Sequence, residues 1–148
     1  MTASERSIEL VRAAAHAAAA KKAQEIIALD VSEQLVITDA FVLASGANER
    51  QVRSIVDAVE DALRGLDAKP ARREGVSEGR WVLLDFVDIV VHVQQAEDRV
   101  YYALERLWKD CPVIEVPGLA EQIAAAATGD DATPGSYATG RSWQAGAR

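Results

Sequence analysis

Hydrophobic positions along the chain recur at two different periods, and the switch between them marks the elements. Val52, Ile55, Val56, Val59, Leu63 and Leu66 follow at spacings of three, one, three, four and three, which is one helical face. Asn48 is a good N-cap, Gln51 three residues on approximates a capping box, and Gly65 marks the end. Ser7 to Ala28 also favours helix, because alanine has the highest propensity and neither Gly nor Pro interrupts. Ile8, Val11, Ala15, Ala18, Ile26 and Leu29 can supply its apolar stripe. Ile26 to Val31 fits the opening of a strand equally well, so the boundary between the two stays open.

Ala40 to Ser45 reads as a strand closed by Gly46, and Trp81–Asp85 and Ile89–Val93 are the strongest strands. Asp67 to Arg80 is polar, with Pro70, Gly75 and Gly79, and leaves room for a short edge strand around Ala71 to Glu74. A third helix is expected from Ala96 to Lys109, with Val100, Leu104, Leu107 and Trp108 inward and Pro112 as its stop. Ala120 to Ala127 suits a short helix, whereas Gly129 to Arg148 has no period and reads as a flexible tail. The order of elements predicts an α/β sandwich: a single mixed β-sheet packed with helices.

A two-residue turn at Phe86-Val87 would pair Asp85 with Asp88, Leu83 with Val90 and Trp81 with His92. Alternation then puts Val82, Leu84, Ile89 and Val91 on a wholly apolar core face. The other face carries Trp81, Leu83, Val90 and His92, with Asp85 and Asp88 at the tip. An aromatic and aliphatic centre beside carboxylates suits protein recognition. The same residues also suit a sheet face packed under a helix, and the pattern leaves both readings open. A Phe-Val turn lacks the usual Gly or Asn, so a wider loop is the competing geometry.

Composition narrows the function classes. The chain has 148 residues and a formal charge of −7, with a pI near 4.8. Such a balance argues against coating nucleic-acid phosphates and favours basic protein partners. The single cysteine, Cys111, excludes an internal disulfide framework and a cysteine-rich zinc site, and fits a reducing compartment. No run approaches the ~20 apolar residues of a membrane span. The alanine-rich stretch from Ala13 to Ala20 is broken by His16 and preceded by Glu5 and Glu9, unlike a signal peptide. A cytoplasmic protein is expected.

Catalytic chemistry finds few supports. Ser45-Gly46 before the helix at Asn48 suggests a phosphate-binding turn, and later carboxylates suggest a nucleotidyltransferase. Asp85 and Asp88 are three apart, however, and a glycine-rich phosphate loop, its lysine and a third carboxylate are missing from the sequence. His92 has no second histidine near it in sequence, which favours a structural role over a ligand or base. The expectation is no catalytic residue, no metal ligand and no cofactor site, with a nucleotide-binding or nucleotidyltransferase-type enzyme as the alternative.

The chain resembles the ribosomal silencing factor (Iojap) family in several ordered blocks. These are Ile27 to Val31, Thr38 to Gly46, Arg50 to Val52, Trp81 to Phe86, Asp88 to Val93 and Tyr102 to Trp108. It departs where Ala40 replaces a common aromatic, Val87 a common glycine and Gln94 a frequent phenylalanine. The resemblance spans roughly Ala23 to Pro112. It divides the chain into an N-terminal helical segment (1–22), the silencing factor domain (23–112) and a largely flexible C-terminal extension (113–148).

The resemblance implies a nucleotidyltransferase-like topology without catalytic residues. It implies a translational repressor that binds the large ribosomal subunit through large-subunit ribosomal protein fourteen and sterically blocks the small subunit, notably under nutrient limitation. It also implies a homodimer when free. From Asp30 to Pro112 the chain has 10 Lys plus Arg against 16 Asp plus Glu, hence a net charge of −6. This suits docking on a basic protein rather than direct sequence-specific binding of nucleic acid. The expected partner-binding residues are Trp81, Leu83, Asp85, Asp88 and His92, with Glu105 and Trp108 as further members.

Overall fold

The computed structural model describes residues 2–102 and 108–131. In chain order the elements are α1 (Glu5–Ala20), β1 (Gln24–Asp30), β2 (Ala40–Gly46), α2 (Glu49–Arg64), β3 (Arg72–Glu74), β4 (Trp81–Asp85), β5 (Ile89–Gln95), α3 (Ala96–Tyr102) and α4 (Leu119–Asp131). The strands form one mixed sheet in the order β1-β2-β5-β4-β3. Only the β2–β5 pair is parallel. These central strands are the most buried of the sheet, each with six of seven residues buried.

One face carries Ala28, Val42, Ala44, Val82, Leu84, Ile89, Val91 and Val93, all buried beneath α1 and α2. Helix α2 delivers Val52, Ile55, Val56, Val59 and Leu63 to this core, the stripe its spacing predicts. Helix α1 contributes mostly small side chains, Ala14, Ala15, Ala18 and Ala19 beside Leu10 and Val11, which lets its backbone lie close. On the opposite face a smaller cluster joins Leu29, Val31, Leu43 and Cys111, with Phe41, Leu35 and Trp108 packed against it.

The first helix ends at Ala20, well short of the Ala28 that propensity alone predicts. Lys22 turns left-handed (φ 63°), and the Ala23 N–H reaches back to the Ala18 carbonyl. This closes the helix without a glycine. Ile26 and Leu29 then belong to β1, where pairing with β2 outweighs helix propensity. Helix α2 stops in the same way: Asp67, not Gly65, is left-handed, and Ala68 bonds back to Leu63. At its start the Asn48 side chain takes the Gln51 N–H at 2.9 Å, while Gln51 Oε1 takes the Ala47 N–H at 2.6 Å.

The β4–β5 hairpin corrects the expected register. Leu83 pairs with His92 and Asp85 with Val90, two residues from the predicted pairing. The Phe86 N–H bonds the Ile89 carbonyl, so the turn residues are Val87 and Asp88. Val87 sits at φ 73°, and the Asp88 N–H bonds back to the Phe86 carbonyl, a γ-turn rarely adopted by β-branched residues. A shift of two preserves alternation, so the assignment of side chains to faces is unchanged.

The strain at Val87 carries a prediction. The side chain is half exposed and loses little contact on removal. Relief of about 1–3 kcal/mol of backbone strain should outweigh the ~0.4–1 kcal/mol entropic cost of glycine. Val87→Gly is therefore expected to raise the urea midpoint of unfolding, with an unchanged slope.

Candidate recognition face

Among the described residues, the sheet face opposite α1 and α2 is only partly roofed. Helix α3 lies over the Ser45–Gln94 end, where the buried Arg99 donates to Ser45 Oγ at 2.9 Å and to the Glu25 carbonyl at 2.7 Å. Glu25 is a left-handed residue within an irregular stretch of the β1–β2 pairing. Trp108 and Cys111 pack over β1 and β2. Between these covers, Trp81 and Leu83 on β4 remain half buried, as does Phe41 on β2.

The aromatic side chains form a connected group. Phe41 meets His92 edge-on at 5.1 Å and Trp108 edge-on at 5.2 Å between ring centroids. Trp81 Nε1–H donates to His92 Nδ1 at 3.2 Å. That bond leaves the imidazole proton on Nε2, which has no partner among the described residues. Burial, reinforced by the Arg99 cation, lowers the His92 pKa from 6.5 to about 4. His92 is therefore a neutral ring beneath Trp81, with too little exposure to meet a partner directly.

The two carboxylates at the hairpin do not oppose one another, contrary to the expected pairing. Asp85 Oδ1 accepts the Val87 N–H at 2.8 Å, and Oδ2 lies 3.6 Å from Arg72. Its charge is thus committed to the turn and to strand β3. Asp88 occupies the exposed turn, with its backbone carbonyl bonded to the Asp39 N–H. Glu105 lies outside the described residues, as do Leu104, Leu107 and residues 132–148 of the expected tail. Trp108 is in place, but in a turn closed by the Cys111 N–H.

Phe41 is the member that sequence reasoning missed. Alternation along Ala40–Gly46 puts it on the face of Leu43, but only the parallel β2–β5 register sets Phe41 beside Val90 and Leu43 beside His92. Strand order is not written in the local pattern.

The Ser45–Asn48 turn has no room for a phosphate reading. The Ala47 and Gln51 amides are taken by side chains, and Glu49 puts negative charge in the first turn of α2. Gly46 serves packing: a Cβ there would stand 3.1 Å from the Val52 nitrogen. Among the described residues no group of three or more His, Cys, Asp or Glu side chains could hold a metal ion. Among them, too, no helix is long and apolar enough to cross a membrane.

Gln94 is a second departure with a structural consequence. It is buried, and neither its amide oxygen nor its nitrogen has a partner among the described residues. Gln94→Met retains similar volume and removes both orphaned atoms. It is expected to stabilise the fold by about 1–2 kcal/mol, read as a higher melting midpoint.

The structure thus combines a mixed sheet with two helices on one face and, among the described residues, a partly open aromatic opposite face. Comparison with known proteins identifies the family. The family profile described as "Ribosomal silencing factor during starvation" matches residues 4–140. Ribosomal silencing factor RsfS of Halalkalibacterium halodurans is 37% identical over 111 residues, covering 75% of this chain and 95% of that protein. Its namesake in Bacillus subtilis is 36% identical, covering 72% and 91% respectively.

A crystal structure of a Chromobacterium violaceum protein superposes with a TM-score of 0.66 at 34% identity, covering 68% of this chain and 84% of that one. The chain belongs to the ribosomal silencing factor family, whose general role is ribosome-associated repression of translation.

Proposed function

We propose that this protein binds the large ribosomal subunit through large-subunit ribosomal protein fourteen and, by its bulk, keeps the small subunit from joining. Translation is thereby damped when nutrients are short. The observation that carries the reading is the half-roofed aromatic face around Trp81 on a chain of net charge −7. Trp81, Leu83 and Phe41 supply apolar area, Trp108 extends it, and the acidic surface steers a basic partner into place. His92 supports the Trp81 indole from below.

Asp85 fixes the neighbouring turn, and Asp88 adds an exposed charge at its tip. Such a contact needs no catalytic residue, metal or cofactor, so the sheet serves as a nucleotidyltransferase-like scaffold without the chemistry. The silencing unit of this reading is residues 23–112, the protein works in the cytoplasm, and it is a homodimer when free.

Affinity capture from cell lysate, with and without ribonuclease, tests the reading. Retention of one basic large-subunit protein after RNA digestion is the expected result. Complete loss of ribosomal material on digestion would place the contact on RNA and defeat the proposal.

A further inference from the structure

The loop between β1 and β2 displays the most exposed large aliphatic side chains among the described residues. Val36 is 101% and Ile37 73% exposed. A lone aliphatic side chain in water is ordinary, but an adjacent pair at the tip of a held loop calls for a reason.

The loop is tied down at its base. The Val31 N–H bonds the Asp39 carbonyl, and the Gln34 and Leu35 N–H groups turn back to the Val31 carbonyl. Asp30 Oδ1 accepts from the Ser32 N–H at 3.0 Å and from Ser32 Oγ at 2.6 Å. Asp39 Oδ2 accepts from Ser7 Oγ at 2.8 Å and from the Ser4 N–H at 3.1 Å, which joins the loop to the start of α1. A contact made at the tip would therefore lose little to ordering of the backbone beneath it.

The tip also stands next to the recognition face. Leu35 packs against the same small cluster that Phe41 and Trp108 cover. On the other side, the Asp39 N–H bonds the Asp88 carbonyl at 2.8 Å. That bond sets the loop beside the β4–β5 turn and its half-exposed Val87. Residues 30–41 and 81–95 hold Asp30, Glu33, Asp39, Asp85 and Asp88 and no lysine or arginine. Arg72 of β3 approaches this group at Asp85.

We infer that Val36 and Ile37 form a second apolar contact for the basic protein that covers the aromatic face, with Glu33, Asp39 and Asp88 matching its charge. This rests on the proposed function and extends its contact over Leu35 to the loop. The carboxylates choose the occupant. A second copy docked tip to tip would oppose like charges, and nucleic acid would bring more of the same sign, whereas a basic surface gains from every one of them.

Val36→Ser combined with Ile37→Ser tests the contact in the full chain, since both side chains lie outside the buried core. Val113→Ser, at another exposed aliphatic residue beside the outer edge of β1, is the control. Binding to the isolated ribosomal protein is expected to weaken about tenfold in the double variant and to stay unchanged in the control. Melting midpoint and self-association, read by sedimentation, should match the wild type.

A double variant that binds as tightly as the wild type overturns the loop contact and leaves the proposed function standing. Equal weakening by Val113→Ser, or a lowered melting midpoint in the double variant, overturns it as well. Loss of self-association with unchanged binding assigns the tip to a second copy instead. A wild-type chain that fails to bind the ribosomal protein removes the proposed function and the loop contact together.

Discussion

Replacing Trp81 by alanine is expected to weaken binding to the isolated ribosomal protein by about 2–4 kcal/mol, the range of an aromatic hot spot, with the fold intact. The indole is half buried on a sheet face that none of the described helices fully covers, so its removal opens no sealed cavity. The cost to the domain is the hydrogen bond to His92 and part of the ring's apolar contact, about 1–2 kcal/mol.

Trp81→Phe keeps most of the apolar area and loses the N–H, so it should retain most of the affinity. Subunit joining should recover in step with lost affinity, since a steric blocker acts only while bound. Circular dichroism separates the outcomes. A domain that unfolds makes the indole a core residue, and a folded domain that binds normally moves recognition elsewhere.

Acid should destabilise the protein through His92. Its folded pKa is depressed, to about 4 from an ordinary 6.5, so the unfolded chain binds the extra proton first. The stability tied to the neutral ring is fully present above the unfolded value. It is lost progressively as pH falls from about 6.5 towards about 4, where both states become protonated. The difference corresponds to an order of 3 kcal/mol. Urea unfolding across this window should show the decline in the parent and a shallower one in His92→Phe. Equal slopes in the two proteins would remove His92 from the account.

Local pattern carried α2, because five apolar residues on one face and a side-chain cap need no distant partner to specify a helix. It likewise fixed the two faces of the β4–β5 hairpin, since alternation survives an even shift in register. Membership of the silencing factor family was legible too, from ordered blocks of residues that the wider comparisons match.

Three things were decided by tertiary structure alone. The end of α1 depended on pairing between β1 and β2, a long-range gain that helix propensity cannot anticipate. The register of the hairpin depended on Val87 accepting a left-handed backbone, which the surrounding strands impose at a cost. The membership of the recognition face depended on strand order: β2 beside β5 brings Phe41 to His92. The roof over part of that face keeps His92 neutral. Sequence period sorts side chains within one element, but which elements become neighbours is settled by the packing of all of them together.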